Sequence, residues 1–148
     1  MRVAKPTSVC NRELKNMIDP NLLDRITSDP FTNLLGASLE AVEPGYCRAS
    51  LTVTPQMLNF HRITHGGIIF GLADIAFATA CNAYGPKSVA LNISVSFLRP
   101  TGVGDHLVAE AREVESAGST ALYAITVTEQ QSKQLVASFQ ALAYRKAG

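Results

Sequence analysis

Asn59-Phe-His-Arg-Ile-Thr-His65-Gly66-Gly67 leads into Ile68-Ile-Phe-Gly-Leu-Ala-Asp74-Ile-Ala-Phe-Ala-Thr-Ala-Cys81, and the stretch closes at Asn82-Ala-Tyr-Gly85. A polar loop with two histidines and an asparagine meets a Gly-Gly pair. An almost wholly apolar run follows, in which Asp74 is the only ionisable residue besides the thiol of Cys81. Apolar residues fall on every side at helical spacing, which predicts a helix buried all round. The 14 residues from Ile68 to Cys81 fall short of the roughly 20 that span a bilayer, so the helix belongs to a core. An aspartate there is paired, protonated or put to use.

Outward from this stretch the period changes to two. Leu39–Val42 and Tyr46–Val53 read as strands around Glu43-Pro-Gly45. After the helix, Val89, Leu91, Ile93, Val95 and Phe97 alternate with small polar residues, giving the clearest strand of the chain. Further strands are expected at Leu107–Val114, Ala121–Thr128 and Leu135–Tyr144, joined by hairpin-like separators. Upstream, Leu14, Met17, Ile18, Leu22 and Leu23 mark two short helices split at Pro20, with Asn21 as cap of the second and Pro30 as the stop. The expected class is α+β: a long central helix wrapped by a curved antiparallel sheet of about six strands. An N-terminal helical extension (1–30) precedes the main domain (31–148). A sheet edge would offer a place for a partner subunit.

The chain has 148 residues with 47% apolar and 17% charged content, enough for one sizeable core. Thirteen basic against twelve acidic residues, with no basic run, argue against a nucleic-acid partner. Cys10, Cys47 and Cys81 form no CxxC pair, so neither a disulfide framework nor a structural zinc site is suggested. The N-terminus lacks a signal-peptide core, making a reducing cytoplasm the expected location and a membrane partner unexpected.

The chemistry gathers at the loop-to-helix junction. Gly66 and Gly67 supply unpaired amides at the positive end of the helix dipole, open to a ligand oxygen. They serve either as a site for a polarised carbonyl or as a tight turn. Asp74 is either a general base or nucleophile, or a structural carboxylate at an interface. His61 and His65 stand at a spacing that binds metal on a helix, but they lie in a loop, and loop fixing or contact with a bound acyl group suits them better. Asn59 is a loop cap or an orienting donor. Cys81, with no activating base in sight, reads as a small hydrophobe. Gly66 and Asp74 are eight residues apart, a rise of roughly 12 Å, whereas both would need to lie within about 3 Å of the reacting atoms. A second subunit carrying its own aspartate resolves this, which predicts a symmetric dimer with shared sites.

At Asn59, His65-Gly66-Gly67, Leu72-Ala73-Asp74 and Asn82-Ala-Tyr-Gly85 the sequence resembles the PaaI-type hotdog-fold acyl-CoA thioesterases. Ser96-Phe-Leu-Arg-Pro100 and Gly104-Asp105-His-Leu extend the resemblance, which covers about Leu35 to Tyr144. It implies hydrolysis of an acyl-CoA, phenylacetyl-like or medium-chain, to free acid and CoA, without metal or other cofactor, in homodimers and often homotetramers. Gly66 would polarise the thioester carbonyl and Asp74 of the other protomer would act as nucleophile or base. Asn59, His65 and Gly67 would bind substrate or order the loop. Some relatives carry a serine where this chain has Ala90, so no role can rest on that hydroxyl. The alternative is a non-catalytic acyl-CoA-binding hotdog module. A hydratase is disfavoured because its acid–histidine pattern is missing.

Overall fold

A computed structural model describes residues 18–147. In chain order the elements are α1 (Pro20–Thr27), α2 (Pro30–Leu35), β1 (Ser38–Glu43), β2 (Tyr46–Thr52), a 3-10 turn (Pro55–Met57), α3 (Gly66–Asn82), β3 (Ser88–Phe97), β4 (His106–Ala117), β5 (Thr120–Glu129) and β6 (Leu135–Arg145). The six strands form one antiparallel sheet in the order β1-β2-β4-β5-β6-β3. The α3 segment therefore carries the chain from β2, next to one edge of the sheet, to β3 at the opposite edge, and β1 and β3 are the edge strands. Side chains of period two (Ala49, Leu51 and Val53; Leu107, Ala109 and Ala111; Tyr123, Ile125 and Val127) turn inward to pack on Leu72, Ala76 and Phe77 of α3.

Three local readings are corrected. Asp19, not Asn21, caps α1: its carboxylate accepts from Asn21 N at 2.8 Å and Leu22 N at 3.2 Å. Pro30 begins a helix instead of ending one. It occupies the first helical turn of α2, where its missing N–H costs nothing, while Asp29 accepts from Thr32 N at 2.9 Å. The alternation in β3 breaks at a bulge between Ala90 and Asn92. The first of the two N-terminal helices lies largely outside the described residues; Ile18 and Leu23 join the same buried cluster as the sheet and α3.

A fourth correction concerns the central helix, which is not covered all round. Ile69, Leu72, Ala73, Ala76, Phe77 and Ala80 are buried, but Gly67 and Ala78 are exposed, and Phe70 and Asp74 are only half-buried. These four fall at spacings of three and four, so they form one open stripe along α3. Beside it runs the edge strand β3, whose Val89, Leu91 and Phe97 are exposed.

Candidate active site

The junction before α3 is held by its own hydrogen bonds. Asn59 Oδ1 accepts from His61 N at 2.9 Å and from Ile63 N at 3.4 Å, while Asn59 N donates to Ile63 O at 2.8 Å. This Asx-type turn tolerates Arg62 at φ 67. The loop is pinned to the segment after β3: Thr64 N donates to Thr101 O at 2.9 Å, and Thr101 Oγ1 donates to Thr64 Oγ1 at 2.7 Å, both threonines being buried. The carbonyl of Met57 takes His65 N at 2.8 Å. Asn59 is thus a loop former through Oδ1, and its Nδ2 amide meets no acceptor among the described residues.

His65 is the N-cap of α3. Its Nδ1 accepts from Gly67 N at 2.9 Å, which in a neutral ring places the proton on Nε2. The same contact explains why residue 67 is small: a Cβ there would stand 3.1 Å from His65 Nδ1. The amides at the helix start are then accounted for one by one. Gly67 N–H goes to the His65 ring, and those of Ile68 and Ile69 go to His65 O at 2.9 and 3.4 Å. Gly66 N–H has no acceptor among the described residues. It points from the positive end of a 17-residue helix, with the Phe97 ring alongside.

Asp74 lies two turns further on, along the open stripe. No hydrogen bond or ion pair with a described residue reaches its carboxylate. It borders a small gap lined by Phe70, Phe77, Ile93 and Phe139. Burial raises its pKa above the ordinary 3.8, and the negative charge of Asp29 adds to the rise. Gly66 and Asp74 lie on one unbroken helix, so the structure does not bring them together within one chain. Asn59, His65, Gly66 and Gly67 cluster at one end, and Asp74 stands apart.

A cavity of about 580 Å³ opens on the Gly67–Ile68 side of the helix start, with Phe31, Leu34, Leu35 and Met57 among its apolar walls. Its size is that of a small-molecule pocket. Other candidates fall away. His61 packs against Phe60 at a tilt, with ring centroids 4.2 Å apart. Among the described residues no group of three or more His, Cys, Asp or Glu could hold a metal ion. Burial pushes the Cys81 thiol up to about 11, which leaves it un-ionised near neutral pH. No helix among the described residues is long and apolar enough to cross a membrane.

Comparison with known proteins identifies the family. Residues 46–136 match the thioesterase superfamily. The acyl-coenzyme A thioesterase PaaI of Escherichia coli is 40% identical over 121 residues, covering 82% of this chain and 86% of that protein. The structure of the E. coli PaaI protein, from the phenylacetic acid degradation operon, superposes with a TM-score of 0.81 at 38% identity, covering 86% of this chain and 92% of that one. A Streptococcus mutans protein solved bound to acetyl CoA gives a TM-score of 0.71 at 28% identity over 74% of this chain and 88% of its own. The chain belongs to the thioesterase superfamily, as a PaaI-type hotdog-fold thioester hydrolase.

Proposed function

We propose that this enzyme hydrolyses an acyl-CoA at a site shared between two copies of the chain, with Gly66 N–H from one and Asp74 from the other. The observation that carries the proposal is the amide inventory at the start of α3, where Gly66 N–H is left without an acceptor. An oxygen that gains negative charge in the transition state is the partner such a donor favours most.

Support for the assembly comes from β3. An edge strand normally carries charge to discourage pairing, yet Ser88–Phe97 contains no charged residue. Pairing β3 with its counterpart in a second copy would lay the open stripes of the two α3 helices near each other, bringing Asp74 toward the partner's helix start. Association of two such dimers into a homotetramer belongs to the same proposal, supported by the uncharged outer positions Ser94, Ser96, Ser138 and Gln140. Residues 31–148 belong to the proposal as the catalytic domain and 1–30 as its extension, of which the described residues carry α1. The thiol of Cys81 accords with a cytoplasmic location.

In the reaction, Asp74 takes a proton from water as the water oxygen bonds to the thioester carbonyl carbon. Its raised pKa makes it the stronger base for this step. The carbonyl oxygen becomes an oxyanion facing Gly66 N–H. Collapse breaks the C–S bond, and the departing sulfur receives the proton from Asp74, leaving a free acid and CoA. Asn59 Nδ2 and His65 Nε2–H are the remaining donors that can orient the thioester. The acyl group is apolar, phenylacetyl-like or medium-chain, a reading supported by the walls of the cavity beside Gly67 and by the phenylacetic acid degradation operon from which the similar E. coli protein comes. A panel of acyl-CoAs followed by release of free thiol tests the proposal, with Asp74→Asn as control. Turnover of at least one substrate, lost by about 10²-fold or more in the variant, is expected. Tight acyl-CoA binding without thiol release would instead make the protein a binding module.

A further inference from the structure

Beyond the reacting atoms, a second cleft of about 450 Å³ runs along the C-terminal half of α3, between that helix and α1–α2. It begins at Ile75 and Ala78, next to Asp74 on the open stripe, and ends at Arg25 of α1 and Lys87 of the α3–β3 connection. From Asp74 to Asn82 the helix rises about 12 Å, so the cleft leads away from the reacting centre by several bonds' length.

Its ends and floor are built. Asn82 clamps the connection to the helix: its Nδ2 donates to Ala78 O at 2.8 Å and Ser88 O at 3.1 Å, and its Oδ1 accepts from Ser88 N at 2.9 Å. Lys87 is further fixed through its carbonyl, which accepts from Lys146 N at 2.9 Å. Neither Arg25 nor Lys87 forms an ion pair with a described residue. The acid in the cleft, Asp29, is already engaged by Thr32 N and by Thr32 Oγ1 at 2.7 Å. On the floor stands Thr79, 7% exposed, whose hydroxyl meets no hydrogen-bond partner among the described residues. The hydroxyl is open to the cleft, since Arg145 Nε is the one buried side-chain polar atom left without a partner among the described residues, and a ligand lying there could bond it as donor or acceptor.

We infer that this cleft holds the coenzyme arm of the substrate, with Thr79 hydrogen-bonding the amide-bearing pantetheine and Arg25 and Lys87 meeting the phosphates of the nucleotide. The inference rests on the acyl-CoA reading above and extends it. Two unpaired cations, a polar floor and an adjoining base suit a ligand that is thioester at one end, amide in the middle and polyanion at the other. The carbonyl end of α3 alone would repel phosphate, which gives both cations a reason to stand there. The acyl group then points the other way, into the apolar cavity beside Gly67 of the partner copy.

The test compares one acyl group carried on CoA and on pantetheine, in the wild type, in Arg25→Ala/Lys87→Ala and in Thr79→Val. For the double variant KM for acyl-CoA should rise roughly 10- to 100-fold with kcat retained, while acyl-pantetheine is hydrolysed as by the wild type. Thr79→Val should raise KM for both substrates. Raising the salt should erode the wild type's preference for the CoA form. A double variant that treats the two substrates as the wild type does, or loses both equally, overturns the assignment of the cleft. A wild type that releases no thiol from any acyl-CoA overturns the hydrolase reading itself, and is seen before any variant is made.

Discussion

Replacing Gly66 by proline removes the amide hydrogen and puts a ring methylene in its place. The first helical position has no intrahelical acceptor for its N–H, and proline is favoured there. His65 has ψ 135, in the range that a residue preceding proline adopts. A Cβ at 66 would meet the Phe97 ring at 3.4 Å, ordinary contact. Stability should therefore change by no more than about 1 kcal/mol, or a few degrees in melting temperature. Turnover should fall by about 10² to 10³, the loss seen when a single oxyanion donor is removed, equivalent to roughly 3–4 kcal/mol of barrier. Gly66→Ala keeps the N–H and serves as the matched control, expected to stay within about tenfold of wild type. The assay is steady-state thiol release on folded, dimeric protein. Near-wild-type kcat in the proline variant, or equal losses in both variants, would refute the role given to this amide.

Two further outcomes follow from the same geometry. Asp29→Asn keeps a good helix cap for Thr32 but removes a negative charge that raises the pKa of Asp74. The active form of Asp74 is ionised, so wild-type kcat/KM should fall as pH drops through a pKa above 3.8. The variant's acid limb should lie at lower pH with an unchanged plateau; an unmoved or raised limb counts against the assignment. Thr101→Val strands the buried Thr64 hydroxyl and should cost about 1–3 kcal/mol, while Thr64→Val/Thr101→Val, having no stranded group, should recover most of that in thermal melts. Strictly additive losses would show that the 2.7 Å hydroxyl pair does not hold the two loops.

The strands and the central helix were legible because their signals are local. Alternation marks β2, β4, β5 and β6, and the glycine pair after a polar loop marks the start of α3. The resemblance at His65-Gly66-Gly67 and Asp74 supplied the family. What escaped was set by contacts distant in sequence or by competition between neighbours. Asp29 and Pro30 together start a helix, though the proline alone reads as a stop. The bulge at Leu91 depends on the register against β6. The open stripe on α3 is invisible in a run that is apolar on all sides, because which side the sheet covers is a tertiary fact. The bond from Gly67 N to the His65 ring singles out Gly66, and no periodicity could foretell it. Likewise Arg25, Thr79 and Lys87 lie 54 and 8 residues apart in sequence and meet only through the packing of α1 on α3.

The central claim is that each site takes Gly66 from one copy and Asp74 from another. Gly66→Pro and Asp74→Asn chains, differently tagged and co-expressed, allow the mixed dimer to be isolated. Each parent homodimer should be inactive. In the mixed dimer one of the two sites regains both native groups, so turnover should return to about half the wild-type value per dimer. A mixed dimer as inactive as its parents would mean that both groups act within one chain, and the shared-site account would be wrong.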